Sequence, residues 1–181
     1  MKKIIMIWAL LVGFNANAGM INIELSKSHV TLGESIEVQL VASAFDNFDA
    51  FGFKLLFDTS VLHFDSATLT SDLSASLTPF GVFHAAQRSN WVEFSFNDFL
   101  PVSSGDFLLA SFDLVAIGEG STDISFADVV FFEPFPSAST LNINSDATAT
   151  VSVPEPSTFV LFLLAAIVIL TTVAKKHSHR Q

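Results

Sequence analysis

From Ile21 to Val153 apolar and polar residues alternate with a period of two, segment after segment, and no helical period of comparable length appears. Ile21, Ile23 and Leu25 alternate with Asn22 and Glu24, and Ile36, Val38 and Leu40 alternate with Ser35, Glu37 and Gln39. Both segments predict half-buried strands, with Leu32-Gly33-Glu34 as the turn between them. Phe51, Phe53, Leu55 and Phe57 alternate with Gly52, Lys54 and Leu56, and Val92, Phe94 and Phe96 alternate with Trp91, Glu93 and Ser95. These aromatic faces predict central core strands. Leu108, Ala110, Phe112 and Leu114 form another inner face opposite Leu109, Ser111 and Asp113. Gly118-Glu119-Gly120 then breaks the chain before Ile124 and Phe126, and Ala147, Ala149, Val151 and Val153 close the series. Short strands between Gly, Asp, Asn and Ser clusters predict an all-β antiparallel sandwich of about seven to nine strands.

The two ends follow other rules. Lys2 and Lys3 precede an 11-residue apolar stretch, Ile4 to Phe14, and Ala16-Asn17-Ala18 has the small-x-small form of a signal peptidase site. Residues 1–18 therefore read as a signal peptide cut after Ala18. Near the other end, Phe159 to Ala174 is an uncharged run of 16 residues followed by Lys175, Lys176 and Arg180. As a helix it is roughly 24 Å long, enough for a thin bilayer, and its basic flank favours the cytoplasmic side. The transmembrane helix and the signal peptide dictate one topology, with residues 19–153 exported as a single domain. Pro154 and Pro156 hold the segment before the span extended, and Glu155 gives it a charge.

Pro154-Glu155-Pro156, the apolar run and the basic end, in that order, make residues 154–181 resemble the PEP-CTERM sorting signal of bacterial surface and exopolysaccharide-associated proteins. The resemblance implies processing by exosortase, a membrane-embedded cysteine protease-like enzyme that removes the helix. It also implies a precursor anchored in the inner membrane of a Gram-negative-type bacterium, then display at the cell surface or outside it.

Residues 19–153 carry 17 acidic side chains against Lys27, Lys54 and Arg88, a net charge of −14 with histidine neutral. Such a surface makes nucleic acid and anionic lipid poor partners. The chain has no cysteine and no Asn-x-Ser/Thr sequon, so an exported domain has to hold together through its core alone. Seventeen phenylalanines between Phe45 and Phe135, with no tyrosine anywhere, supply that core.

Three stretches in series resemble the cohesin family: Leu32-Gly33-Glu34-Ser35-Ile36-Glu37-Val38, then Phe51-Gly52-Phe53-Lys54-Leu55-Leu56-Phe57-Asp58-Thr59-Ser60-Val61-Leu62-His63-Phe64, then Gly105-Asp106-Phe107-Leu108-Leu109-Ala110-Ser111-Phe112-Asp113-Leu114. The resemblance implies a nine-stranded jelly-roll sandwich that binds a dockerin-type module through one sheet face, without catalysis. It marks no contact residue on this chain.

The side chains offer no catalytic constellation. His29, His63 and His84 are scattered, and no Gly-x-Ser-x-Gly, Ser-x-x-Lys or His-Glu-x-x-His occurs. Asp46-Asn47-Phe48-Asp49, and Asp98 with Asp106, offer oxygens, but neither group has the EF-hand form, and calcium needs six to eight oxygens around it. These acids read as a solvated rim, with calcium as the alternative; no cofactor is expected. In Val129-Val130-Phe131-Phe132-Glu133-Pro134-Phe135-Pro136 a strand sends Phe131 and Phe132 to opposite faces, so one of them nears the surface. Trp91 is out of phase with Val92, Phe94 and Phe96 and is the other candidate surface aromatic. Two functions follow. One is an exported, non-catalytic recognition module for a dockerin-like protein; the other is an exopolysaccharide-associated matrix protein in which Trp91 with Phe131 or Phe132 contacts polysaccharide.

Overall fold

A computed structural model describes residues 19–137 and 139–154. The expected signal peptide with Ala16 and Ala18, the expected span, and the rest of the expected sorting tripeptide beyond Pro154 lie outside these residues. Among the described residues no helix is long and apolar enough to cross a membrane.

Ten strands follow in order: β1 (Gly19–Leu25), β2 (Ser35–Phe45), β3 (Phe48–Leu56), β4 (Leu62–Thr70), β5 (Val82–Gln87), β6 (Trp91–Val102), β7 (Gly105–Ala116), β8 (Gly120–Phe132), β9 (Ile143–Asn144) and β10 (Thr148–Val153). A single turn of helix, α1 (Asp72–Ser76), follows β4, its N-terminus capped by the Ser71 side chain, which accepts from the Leu73 N–H at 3.1 Å. Two five-stranded sheets result, in the orders β4-β7-β2-β1-β9 and β10-β8-β3-β6-β5. Every pairing between these strands is antiparallel except that of β1 with β9. The all-β sandwich is as the alternation predicts. The tenth strand exceeds the expectation because β9 has only two residues, Ile143 and Asn144, too few for a period to show.

Phenylalanine fills the space between the sheets. Phe48 meets Phe131 edge-to-face at 5.2 Å between ring centres, and Phe53 stacks on Phe94 at 4.9 Å. Phe112 lies 5.5 Å from Phe94 and 5.2 Å from Phe64, joining the two layers. Offset and edge-to-face contacts of this kind add to the stabilisation from burial alone.

The inner faces of β1, β2, β3 and β6 are those the alternation predicts. On β7 and β8 the phase changes. Leu40 pairs with Ala110 but Val41 with Leu108, so Leu109 is an extra residue on β7. Leu109 is fully buried and Leu108 only half-buried, the reverse of the expectation. On β8, Gly52 pairs with Val130 and Lys54 with Ala127, so Asp128 and Val129 together face Phe53. Asp128 takes a left-handed backbone, φ 51°. Each bulge exchanges the inner and outer faces of the residues beyond it.

Candidate recognition surfaces

The outer faces of the two sheets differ in chemistry. On the sheet containing β2, Asp65 of β4 lies opposite Asp113 of β7, and Asp113 lies opposite Glu37 of β2, so three carboxylates form a row across neighbouring strands. The Gln39 amide and then the Ser111 hydroxyl, each 2.9 Å away, hold the Glu37 carboxyl below its ordinary range. A partner seated here would have to strip water from several like charges.

The outer face of the β10-β8-β3-β6-β5 sheet is flat at its centre. Gly52 lies opposite Ser95 on one side and Val130 on the other, with Ala50, Ala86 and Ala127 on the same face. At one end Lys54 Nζ is 2.5 Å from Asp128 Oδ2 and 5.1 Å from the centre of the Trp91 ring, and Arg88 Nη2 is 3.0 Å from Glu93 Oε2. Two of the three cations of the sandwich therefore stand on this face.

Trp91 is on this face as expected but half-buried, because it lies under the Lys54 ammonium and opposite Leu56. Its indole N–H is buried with no partner among the described residues. Phe132 is 39 % exposed and faces outward opposite Ala50, whereas Phe131 is 0 % exposed. Phe131 is therefore withdrawn as a surface contact: the Asp128 bulge turns it into the core against Phe45, Phe48 and Phe51. Trp91 and Phe132 occupy opposite ends of the face, since Trp91 starts β6 and Phe132 ends β8.

Most acids singled out from the sequence tie loops together. Asp49 Oδ2 accepts from the Phe135 N–H at 2.9 Å, Asn47 Oδ1 from Ser104 N–H at 2.6 Å, and Asp106 Oδ1 from Ala44 N–H at 2.7 Å. His63 and His84 sit on different sheets, and among the described residues no three His, Cys, Asp or Glu side chains are grouped to hold a metal ion.

Asp98 is the buried member of this set. It accepts from the Thr78 hydroxyl, from the Thr78 N–H at 2.8 Å and from the Phe99 N–H at 2.6 Å, and so fixes the Thr78–Gly81 turn. The Thr78 hydroxyl first, then these N–H groups, hold its carboxyl below the usual 3.8, against the effect of burial. A carboxylate whose pKa is lowered on folding stabilises the fold above its ordinary pKa, and that contribution is lost as pH falls through the folded value. The Thr78 amide resonance is thus expected to hold steady from neutrality to about pH 4 and to move only below it. Movement between about pH 5 and 7 would assign the turn to another group.

The sequence did not mark the most exposed rings. Phe80, Phe99 and Phe135 are 77, 83 and 88 % exposed. They gather where β6 departs from its partner: Ala50 pairs with Asn97 but Phe48 with Val102, which leaves Asp98 to Pro101 as an outward swelling. The sequence cues are prolines, which cannot donate to a ladder: Pro101 inside an otherwise strand-like run, and Pro134 and Pro136 on either side of Phe135.

No family model and no curated protein matches this sequence. Solved structures do match its fold. A non-cellulosomal cohesin of Archaeoglobus fulgidus superposes with a TM-score of 0.58 at 14 % identity, over 75 % of this chain and 92 % of that one. A type II cohesin domain of the Acetivibrio cellulolyticus cellulosome gives 0.58 at 16 % identity, over 74 % and 95 %. A type II cohesin–X-dockerin complex of the same organism gives 0.60 at 12 % identity, over 74 % and 98 %. The fold is that of cohesin modules.

Proposed function

We propose that this protein is an exported, non-catalytic recognition module, sorted to the cell surface or the extracellular matrix through its C-terminal tail, and that it docks a dockerin-like protein on the outer face of the β10-β8-β3-β6-β5 sheet. One observation carries the choice of face. The centre of this sheet presents Ala50, Gly52, Ser95 and Ala127, side chains that cost little to desolvate and let a partner's backbone approach, while its rim keeps Trp91 and the Lys54 cation. The opposite sheet face, with Asp65, Asp113 and Glu37 in a row, has neither property. The cohesin fold, and a solved relative in complex with dockerin, support the kind of partner.

Export rests on Lys2, Lys3 and Ala16-Asn17-Ala18; sorting rests on Pro154-Glu155-Pro156 with the apolar run and basic end, which would make exosortase and the inner membrane transient partners. Pro154 is exposed directly after β10, where a processing enzyme can reach it.

One preparation tests both halves. Protein recovered outside the producing cells is expected to have the intact mass of a chain that starts at Gly19 and has lost the helix after Pro154. On a column it should capture a dockerin-type module, and Lys54→Glu with Trp91→Ala should weaken capture at least tenfold, about 1.4 kcal/mol or more. Capture unchanged by that double substitution would rule out this face; an unprocessed mass would rule out the sorting.

A further inference from the structure

We infer that the exposed rings at the end of the sandwich where β8 finishes form a binding groove for a neutral saccharide chain, adjoining through Asn97 the sheet face proposed for the protein partner. The groove has a volume of about 420 Å³ and runs between the β6 swelling and the segment after β8, with Phe99 and Pro101 on one wall and Pro134 and Phe135 on the other. Its size falls within the range of small-ligand clefts, about 300–1,000 Å³. Phe80 extends the first wall, meeting Phe99 edge-to-face at 6.1 Å.

The chemistry of the lining selects the ligand. The walls are ring faces and proline edges, and the polar groups between them are Asp49, Asn97 and Asp98. A pyranose presents the same alternation, C–H faces that lie on aromatic rings and hydroxyl edges that donate to carboxylates and amides. Asp98 is spent on Thr78 and Phe99, and Asp49 lends Oδ2 to the Phe135 N–H. The second Asp49 oxygen and the Asn97 amide have no hydrogen-bond partner among the described residues. They remain for hydroxyl groups.

No lysine or arginine lines the groove, and the sandwich carries a net charge of −14, so a uronate-rich or phosphorylated polymer would be repelled. A protein-binding core would be continuous and depleted of charge; here a carboxylate stands between the rings.

The rings are held ready. Asp98 fixes the backbone of Phe99 and the turn that carries Phe80, and Asp49 fixes that of Phe135. At Gly81 an added Cβ would fall 2.6 Å from Asp98 Oδ2 and 2.8 Å from Leu77 Cδ2, so a side chain there would push against the carboxylate that holds the turn. Placement also favours access. Val153 pairs with Gly120 at the start of the 13-residue β8, and Phe132 ends it, so the chain leaves the sandwich roughly 40 Å from the groove. Whatever holds the C-terminal end leaves the rings facing outward.

The test is affinity electrophoresis of the exported protein through gels holding neutral polymers (hydroxyethylcellulose, dextran, galactomannan) or anionic alginate. Retardation is expected on a neutral gel and not on alginate. Phe99→Ala with Phe135→Ala should weaken it at least tenfold, and Trp91→Ala should leave it unchanged. Both rings are exposed, so the double variant keeps its fold, which an unchanged thermal midpoint would verify. Migration unaffected by every neutral polymer, equal retardation by alginate, or a double variant that binds as before would each overturn the inference. So would a double variant that has lost capture of a dockerin-type module instead, since that would make the rings a protein contact. Loss of that capture in Lys54→Glu alone bears only on the sheet face.

Discussion

Phe48→Ala is expected to cost about 3–5 kcal/mol of stability, the range for truncating a fully buried ring. Phe48 is fully buried, with five rings around it: Phe45 and Phe51 at 6.0 Å, Phe96 at 5.9 Å, Phe107 at 5.7 Å and Phe131 at 5.2 Å. Those neighbours come from both sheets, so no single strand can shift to refill the space. With no disulfide to constrain the unfolded chain, the loss is a large share of the 5–15 kcal/mol typical of a domain. Urea titration followed by circular dichroism measures it. Phe80→Ala, the same chemical change at a ring in solvent, should stay within about 0.5 kcal/mol. Equal effects of the two substitutions would mean that burial does not rank these rings.

Gly118→Ala is expected to destabilise by roughly 1–3 kcal/mol or more through backbone collision. An added Cβ there would lie 2.2 Å from the Ser60 carbonyl oxygen and 3.2 Å from its carbon. No side chain can rotate away to relieve this, because the obstacle is main chain. The β7–β8 connection rests on that turn through Ile117 N–H and Gly118 N–H, both donated to the Val61 carbonyl, at 2.8 and 3.2 Å. Asp58 in turn braces the turn, its Oδ1 accepting from the Ser60 N–H at 2.8 Å and its carbonyl from the Val61 and Leu62 N–H groups. The alanine should therefore loosen two connections at once, which hydrogen exchange at Val61 and Ile117 would register. Gly52→Ala is the comparison, since its nearest neighbours to an added Cβ stand 4.0 Å away. A Gly118→Ala chain as stable as Gly52→Ala would disprove the close approach.

Where local pattern and fold agree, the agreement has a plain cause. A strand's side chains alternate because of its own backbone, so Ile36, Val38 and Leu40, or Phe51, Phe53 and Leu55, could be assigned to one face without knowing their neighbours. Leu109 and Phe131 could not. Each lies beyond or within a bulge, and a bulge is one residue of slippage against a partner strand, invisible in the strand's own sequence. Glycine would have marked such sites, yet Asp128 and Ala44 take the left-handed backbone here, φ 51° and 54°. Asp46-Asn47-Phe48-Asp49 illustrates the same limit: it reads as an acidic loop, but its phenylalanine is the core's hub, and Asn47 and Asp49 tie down other loops.

The candidate surfaces divide in the same way. Trp91 was legible as an outward residue of its strand from phase alone, whereas phase put Phe131 and Phe132 on opposite faces and left open which of them was outward. Phe80, Phe99 and Phe135 were not legible, since Phe80 and Phe135 depend on turns fixed by Asp98 and Asp49 from 20 and 86 residues away, and Phe99 on the swelling of β6 against β3. The sequence by itself settled the layers, the phenylalanine interior and the acidic exterior, because alternation and composition act within a few residues of chain. Only the tertiary structure decided which rings turn inward at the bulges, which sheet face is free of crowded carboxylates, and which loops meet at one end, because each of those depends on partners that the chain brings together only by folding.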